Sequence, residues 1–319
     1  MKILHISDTH GAHEQLLLQD LSADVLIHSG DFTANGSQKE VLQFFDWFRR
    51  LPFSHKILVP GNHDYFVEEM VLDAQLKKYF WPKDFDLLVS EGVEIDGVKF
   101  WGSPVTPWFF DMAFNQEKDK IAEEWANIPS DTQVLITHGP RYGVLDRVRG
   151  LSSEGCFALQ VFVQDALPNL RLHLHGHIHD EHGQHRAGKL LTLNSAIMDE
   201  DYCPNNPPQM AQKQGEYFVS LSEQMLSHYL EGQAWSFALE HGLVSKGLLS
   251  LLSQIRSLNC HLSTSVEVEL LYIHVTLGDV ESDKQQRMTE ALNVLLKSNQ
   301  YRSLLESFIV VTHDGYEKG

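Results

Sequence analysis

The chain has 319 residues, 43% of them apolar, enough for two ordinary domains with substantial cores. Its 25 basic and 43 acidic residues give a formal net charge of −18, and no Lys/Arg-rich block stands out. That balance argues against duplex nucleic acid as a partner, because backbone binding needs clustered cations; a small phosphate ester stays compatible, since bound metals supply local positive charge. Cys156, Cys203 and Cys260 are odd in number and widely spaced, so they form neither a disulfide framework nor a zinc-site spacing. A first strand from residue 2 leaves no room for a signal peptide, and no apolar run approaches the length of a membrane span. The expectation is a soluble, cytoplasmic protein with no membrane partner.

In chain order, Lys2–Ile6 reads as a strand running into Asp8-Thr9-His10, and Asp24–His28 as a strand running into Gly30-Asp31. Ser37–Leu51 spaces Val41, Phe44, Phe45 and Phe48 for one helical face; Ser37 and Glu40 suit a capping box, and Pro52 ends the helix. His55–Val59 is a strand running into Gly61-Asn62-His63-Asp64, followed by one helix over about Val67–Tyr79. Val98–Trp101 is a strand entering a Pro-rich loop, Ser103–Phe110, and Asn115–Asn127 is helical up to the break at Pro129. Gln133–Thr137 leads into His138-Gly139-Pro140; Gly155–Leu167 is a helix stopped by Pro168. Arg171–His175 leads into Gly176-His177-Ile178-His179, and Leu190–Leu193 is a late strand. The breaker cluster Asn205-Asn206-Pro207-Pro208 places a domain boundary at 210. Beyond it, Glu216–Leu230, Trp235–Leu258, Ser265–Leu277, Lys284–Lys297 and Tyr301–Val311 mostly show helical spacing, so 211–319 reads as a mainly helical domain. The alternative for Ser265–Leu277 is a strand, since Val266, Val268, Ile273 and Val275 are β-branched.

Five apolar runs thus end in metal-binding residue types, and each ligand falls at the carboxyl end of a strand, where open α/β sheets bind their ligands. Singly these motifs are ordinary: Asp-x-His is common, Gly-Asp is often a turn, and His-x-His is often a surface pair. Together they offer Asp8, His10, Asp31, Asn62, His138, His177 and His179 to a two-metal centre. Two carboxylates and a bridging hydroxide against two divalent ions leave about +1, which attracts a phosphate, and the metals lower the pKa of bound water towards about 7. Residues i and i+2 of an extended stretch point the same way, so Asp8 with His10, and His177 with His179, are each expected to serve one centre.

With these motifs the chain resembles the calcineurin-like metallophosphoesterases, whose series is D-x-H, G-D, G-N-H-[DE], H and G-H-x-H. More narrowly it is similar to the small metallophosphoesterase-domain-containing phosphodiesterases. That narrower likeness is carried by Ile6–His10, Asp24–Gly36, Thr106–Phe109, Thr137–Gly143 and Asn206–Pro208. The likeness covers roughly residues 1–210 and implies a four-layer α/β/β/α sandwich there. It also implies that Asp8, His10 and His179 hold one metal, that Asn62, His138 and His177 hold the other, and that Asp31 bridges them. His63 would face the leaving group and protonate it, or stabilise its developing charge, a role worth roughly 10²–10⁴ in rate. Mixed His/Asp/Asn ligation suits two ions drawn from Mn, Fe, Zn, Ni or Co.

Other residues carry weaker signals. Arg141 can meet a substrate phosphate through its bidentate fork, and Trp108 with Phe109 can stack on a nucleobase or aromatic ester. His5, His28, His173 and His175 lie within strand runs and read as core or supporting histidines, while His182 and His185 read as solvated. The segment 211–319 reads as a lid, a self-association element or a protein-partner module. The expected function is hydrolysis of small phosphate esters, such as cyclic nucleotides, by attack of a metal-bridging hydroxide. The alternatives are a phosphoprotein phosphatase, a DNA-processing nuclease, which the acidic balance opposes, and a weakly catalytic scaffold acting through its C-terminal part. Against the phosphatase, Gly30–Gly36 lacks the Asp-Arg pair that grips phosphate in that group.

Overall fold

Strands buried on both faces need apolar residues along their whole length, and the runs above supply them. The computed structural model describes residues 1–220 except 17, 19, 20, 150 and 151, and also 260–267, 270–277 and 309–313. It divides into two units, Met1–Leu221 and Ser222–Gly319. The first half of unit one runs β1 (Lys2–Ile6), β2 (Val25–His28), α1 (Gln38–Arg50), β3 (His55–Leu58), α2 (Tyr65–Leu72), α3 (Ala74–Phe80), β4 (Asp86–Leu87), β5 (Glu91–Ile95), β6 (Val98–Ser103), β7 (Thr106–Pro107) and β8 (Asn115–Gln116). It continues through α4 (Ile121–Trp125), β9 (Val134–Thr137), β10 (Arg147–Val148), β11 (Ser152–Ser153), α5 (Phe157–Ala166), β12 (Leu172–His175), β13 (Gly183–Ala187), β14 (Leu190–Asn194), β15 (Gln209–Gln214) and β16 (Tyr217–Ser220).

Two six-stranded sheets result, ordered β16-β15-β1-β2-β3-β4 and β13-β14-β12-β9-β6-β5. Their central strands are parallel; the edges are antiparallel except at β4, which pairs with β3 in parallel. One set of alternate residues, Ile3, Val25, Ile27 and Ile57 with Phe100, Val134, Ile136, Leu172, Leu174 and Leu191, forms a buried core between the sheets. The opposite parity faces helices: Leu135 packs with Ile121 and Trp125 of α4 and Leu159 and Val163 of α5. On the far side, α1 brings Phe44 onto Phe32 and His28 at ring separations of 4.3 and 5.1 Å. Each such buried side chain contributes about 1.5–3 kcal/mol of apolar burial. The layers therefore follow the order helix, sheet, sheet, helix that the resemblance implies. The sheets are pinned together at one end, where Ser7 pairs with Ala196 in parallel and Ser7 N donates to Ser195 O at 2.9 Å.

Helix α1 starts at the expected capping box of Ser37 and Glu40. The single helix expected over Val67–Tyr79 is instead two, because the Asp73 carboxylate accepts from Gln75 N and Leu76 N and so starts a new helix, α3. Asn115–Asn127 is helical only over Ile121–Trp125; Asn115 and Gln116 pair with Thr106 and Pro107. Strands β15 and β16 extend the first sheet beyond residue 210, with Lys2 opposite Gln212, so Tyr217–Ser220 is extended where helical spacing was read. In the second unit the described residues are strands β17 (Cys260–Glu267), β18 (Leu270–Leu277) and β19 (Ile309–His313), in that order in one sheet. Over 265–267 and 270–277 the chain is extended, as the alternative reading had it, and the end of Tyr301–Val311 falls in β19. The helices expected at Trp235–Leu258 and Lys284–Lys297 lie outside the described residues. No helix among the described residues is long and apolar enough to cross a membrane.

Candidate metal centre

All five ligand-bearing segments leave the carboxyl ends of parallel strands β1, β2, β3, β9 and β12, at the end where the sheets are pinned. Four candidate ligands sit there in left-handed backbone: Asp8, His10, Asp31 and His177, with φ of 50°, 39°, 55° and 68°. L-residues visit this region at a cost, and such outliers gather at functional sites. Gly176 lets the β12 turn close on β1, since a Cβ there would strike the Asp8 carboxylate and the Ser7 hydroxyl. In that turn His177 N donates to both Asp8 oxygens, at 3.0 and 2.9 Å.

The side chains converge in two groups, Asp8 with His10 and His179, and Asp31 with His138 and His177, and a third, His10 with Asp31 and His63, overlaps both; within each, the ligand atoms lie inside 4.8 Å of one another. The His10 and His179 Nε2 atoms face each other at 3.3 Å, and Asp8 Oδ1 lies 3.5 Å from His179 Nε2. In the second group His138 Nε2 is 2.9 Å from Asn62 Oδ1 and 3.3 Å from Asp31 Oδ2. The same Asp31 oxygen lies 3.8 Å from His10 Nε2 and 4.0 Å from His63 Nε2, so it stands between the groups. His177 and His179 thus both reach the centre but in different groups, with a left-handed bend at His177 between them.

Carbonyls behind the imidazoles aim them. His138 Nδ1 meets Ser29 O at 2.9 Å, His179 Nδ1 meets Asp199 O at 3.2 Å, and His63 Nδ1 meets Ala34 O at 3.1 Å. A ring that donates from Nδ1 turns the Nε2 lone pair inward, the arrangement that orients metal-binding histidines. Two buried carboxylates, four inward imidazoles and an amide oxygen make a donor set that fits a pair of divalent ions.

Asp64, unassigned from sequence, organises the turns around the second group. Its carboxylate accepts from Asp31 N (3.0 Å), Gly61 N (2.8 Å), Thr33 N (3.0 Å) and Thr33 Oγ1 (2.8 Å). Its position just before α2 suggests a helix cap, yet its side chain makes no capping bond and points back to the β2 turn.

Electrostatics reinforce the crowding. Burial opposes ionisation of Asp8 and Asp31, but hydrogen bonding from His179 and the charge on His138 hold both well below the usual carboxylate range. Burial likewise opposes a charge on His138, yet Asp31, Asp8 and the Ser29 carbonyl raise it to about 9. Burial lowers His177 to about 4, helped by His138. A folded pKa raised above the unfolded value of about 6.5 gives stability that is present below that value and lost as pH rises through the folded pKa, here about 9. A divalent ion takes the proton's place only when His138 is neutral. Added Mn²⁺ is therefore expected to raise the melting temperature progressively more as pH climbs from about 6.5 to 9. A metal-induced gain that stays flat in melts at paired pH values would contradict this.

A pocket of about 820 Å³ opens over the groups, lined by Asp31, Asn62, His63 and His177 and walled by Trp108 and Phe157. Trp108 is half exposed there. Arg141 is elsewhere: it is buried, with Nη1 donating to Gln160 Oε1 at 2.6 Å and Nη2 to Thr192 Oγ1 at 3.2 Å, so its fork joins α5 to β14 and does not face the pocket. Proximity to His138 in sequence was misleading, because the residue that follows Pro140 turns beneath the helix layer. His5, His28, His173 and His175 are fully buried. His182, expected in solvent, is held by the Pro207 carbonyl at 2.9 Å.

The family model described as calcineurin-like phosphoesterase matches residues 1–181. Human metallophosphoesterase domain-containing protein 1 is 33% identical over 224 residues, covering 64% of this chain and 68% of its own length. A UPF0046 protein of Caenorhabditis elegans is 35% identical over 206 residues, covering 61% of this chain and 69% of that protein. A Thermus thermophilus protein of known crystal structure aligns at 16% identity with a TM-score of 0.47, over 69% of this chain and 97% of that one.

Proposed function

The chain belongs to the calcineurin-like phosphoesterase family of metal-dependent phosphoric ester hydrolases, and we propose that it is a phosphodiesterase or phosphatase acting on small phosphate esters such as cyclic nucleotides. The observation that carries this reading is Asp31 standing between two groups of inward-facing donors at the floor of an open pocket. In it, Asp8, His10 and His179 would hold one ion, Asn62, His138 and His177 would hold the other, and Asp31 would serve both. Such a pair supplies Lewis-acid activation of the phosphoryl group and a nucleophile at neutral pH.

The chain's own residues do the rest. The carbonyls of Ser29 and Asp199 fix the His138 and His179 rings. The amide of His63 donates to Asp31 Oδ1 at 2.8 Å and sets the carboxylate's angle. The His63 ring, partly exposed and 4.7 Å from His10, lines the pocket with Nε2 4.0 Å from Asp31 Oδ2; doubly protonated, with Nδ1 held by the Ala34 carbonyl, it serves the leaving-group oxygen as a proton donor. Trp108, on the pocket wall, supplies a flat apolar surface for a planar ester group.

A substrate panel tests the reading: 2′,3′- and 3′,5′-cyclic nucleotides, p-nitrophenyl phosphate and its bis ester, and phosphopeptides, each with chelated protein and after Mn²⁺ addition. Metal-dependent turnover of the small esters is expected, fastest on a diester. Turnover confined to phosphopeptides would replace this reading with a phosphoprotein phosphatase, and none on any member would leave a scaffold.

A further inference from the structure

Tyr202 belongs to the turn Asp199–Cys203 beside the metal centre and plays no part in the assignments above. Its backbone is left-handed, with φ 57°, and for a bulky side chain that is an outlier needing a cause. The turn enforces it. Tyr202 N donates to Asp199 O at 3.0 Å, and Asp199 N to Cys203 O at 2.9 Å. The Asp199 carboxylate accepts from Asp201 N and Cys203 N on one oxygen and from Asn205 Nδ2 on the other. The carbonyl of this same Asp199 also holds His179. One residue thus fixes both a ligand imidazole and the tyrosine.

The ring that this turn presents lies 4.7 Å from the His179 ring and 5.3 Å from that of His10. Nevertheless Tyr202 is 59% exposed and lines the same pocket as Asp31 and His63. A side chain kept only for packing would be covered. This one is held, at backbone cost, on the open flank of the first ligand group. A phenol, with an ordinary pKa near 10, is a hydrogen-bond donor at neutral pH, and an amphipathic ring suits a wall that is apolar on one side and wet on the other.

We propose that Tyr202 is a substrate-contacting residue: its ring walls the pocket beside His10 and His179, and its hydroxyl donates a hydrogen bond to a non-bridging oxygen of the bound phosphate group. The inference rests on the proposed hydrolase reading for its ligand. It differs in predicting that the hydroxyl, and not only the ring, matters.

Tyr202→Phe and Tyr202→Ala, prepared as full-length protein with Mn²⁺, separate the outcomes. Inorganic phosphate binding is measured by calorimetry, metal content by elemental analysis, and KM and kcat with bis(p-nitrophenyl) phosphate. Tyr202→Phe is expected to keep the metal content and melting temperature of the native chain while its phosphate dissociation constant rises about tenfold or more, the loss ordinary for a bond to a charged acceptor. Native phosphate affinity in Tyr202→Phe overturns the inference, and loss of metal in Tyr202→Ala alongside it would make the ring a shield for the ligands. A native chain that binds phosphate but hydrolyses no ester defeats the hydrolase reading alone, because the Tyr202→Phe comparison still reads the contact.

Discussion

Asp64→Ala lowers the melting temperature by about 10 °C and takes metal binding down with it. The carboxylate is fully buried and receives three backbone amides and the Thr33 hydroxyl. Removing it strands those amides where water does not reach, and each orphaned buried donor costs about 1–3 kcal/mol. The Thr33 hydroxyl keeps the His63 carbonyl at 3.0 Å, so the three amides together cost about 3–9 kcal/mol, and a unit of this size loses about 2–4 °C per kcal/mol. Two of the freed amides belong to Asp31 and Gly61, so the second ligand group loses its frame as well as its stability. Burial and the Asp31 charge push the Asp64 carboxyl up to about 7, so the native site tolerates this carboxylate only because its hydrogen bonds are complete. Asp64→Asn keeps one acceptor oxygen and should fall roughly midway. Thermal melts with and without Mn²⁺ measure both effects, and a drop of only a degree or two in Asp64→Ala would mean the turns hold themselves.

Asp31→Asn is expected to abolish metal-dependent hydrolysis while leaving a folded protein. Losing an outer partner of a metal ligand already costs about 10–100-fold, so replacing the carboxylate between both groups should exceed about a hundredfold. Because Asp31 also raises His138, the amide variant should return that imidazole towards neutrality, and the stabilisation conferred by Mn²⁺ should shrink at every pH. Kinetics on bis(p-nitrophenyl) phosphate, paired with melts of metal-free and Mn²⁺-loaded protein, provide the readout. A variant that still hydrolyses the diester within tenfold of the native rate would remove Asp31 from its central place.

What the amino-acid order disclosed was residue type at strand ends. Apolar runs long enough for buried parallel strands, each followed by Asp, Asn or His, placed β1, β2, β3, β9 and β12 and named the side chains now found together. Backbone direction at those ends was hidden. The i, i+2 rule presumes extended chain, and four left-handed residues broke that presumption. The hairpin of β5 and β6 did have a signal, Asp96-Gly97, whose φ angles of 49° and 75° suit a tight turn between strands. Arg141 and Asp64 show the limit for lone polar residues. One looked like a substrate clamp and joins buried layers; the other drew no reading of its own and ties the β2 and β3 turns together. Only tertiary contacts separate such roles.

The left-handed ligands have a bearing on how this scaffold would drift if freed from chemistry. Holding Asp8, His10, Asp31 and His177 in that region takes on the order of 1 kcal/mol apiece. Glycine would sit there with less protest. A library selected for heat resistance alone, with no demand for turnover, should therefore accumulate that replacement at these four positions before it touches the apolar strands beneath them.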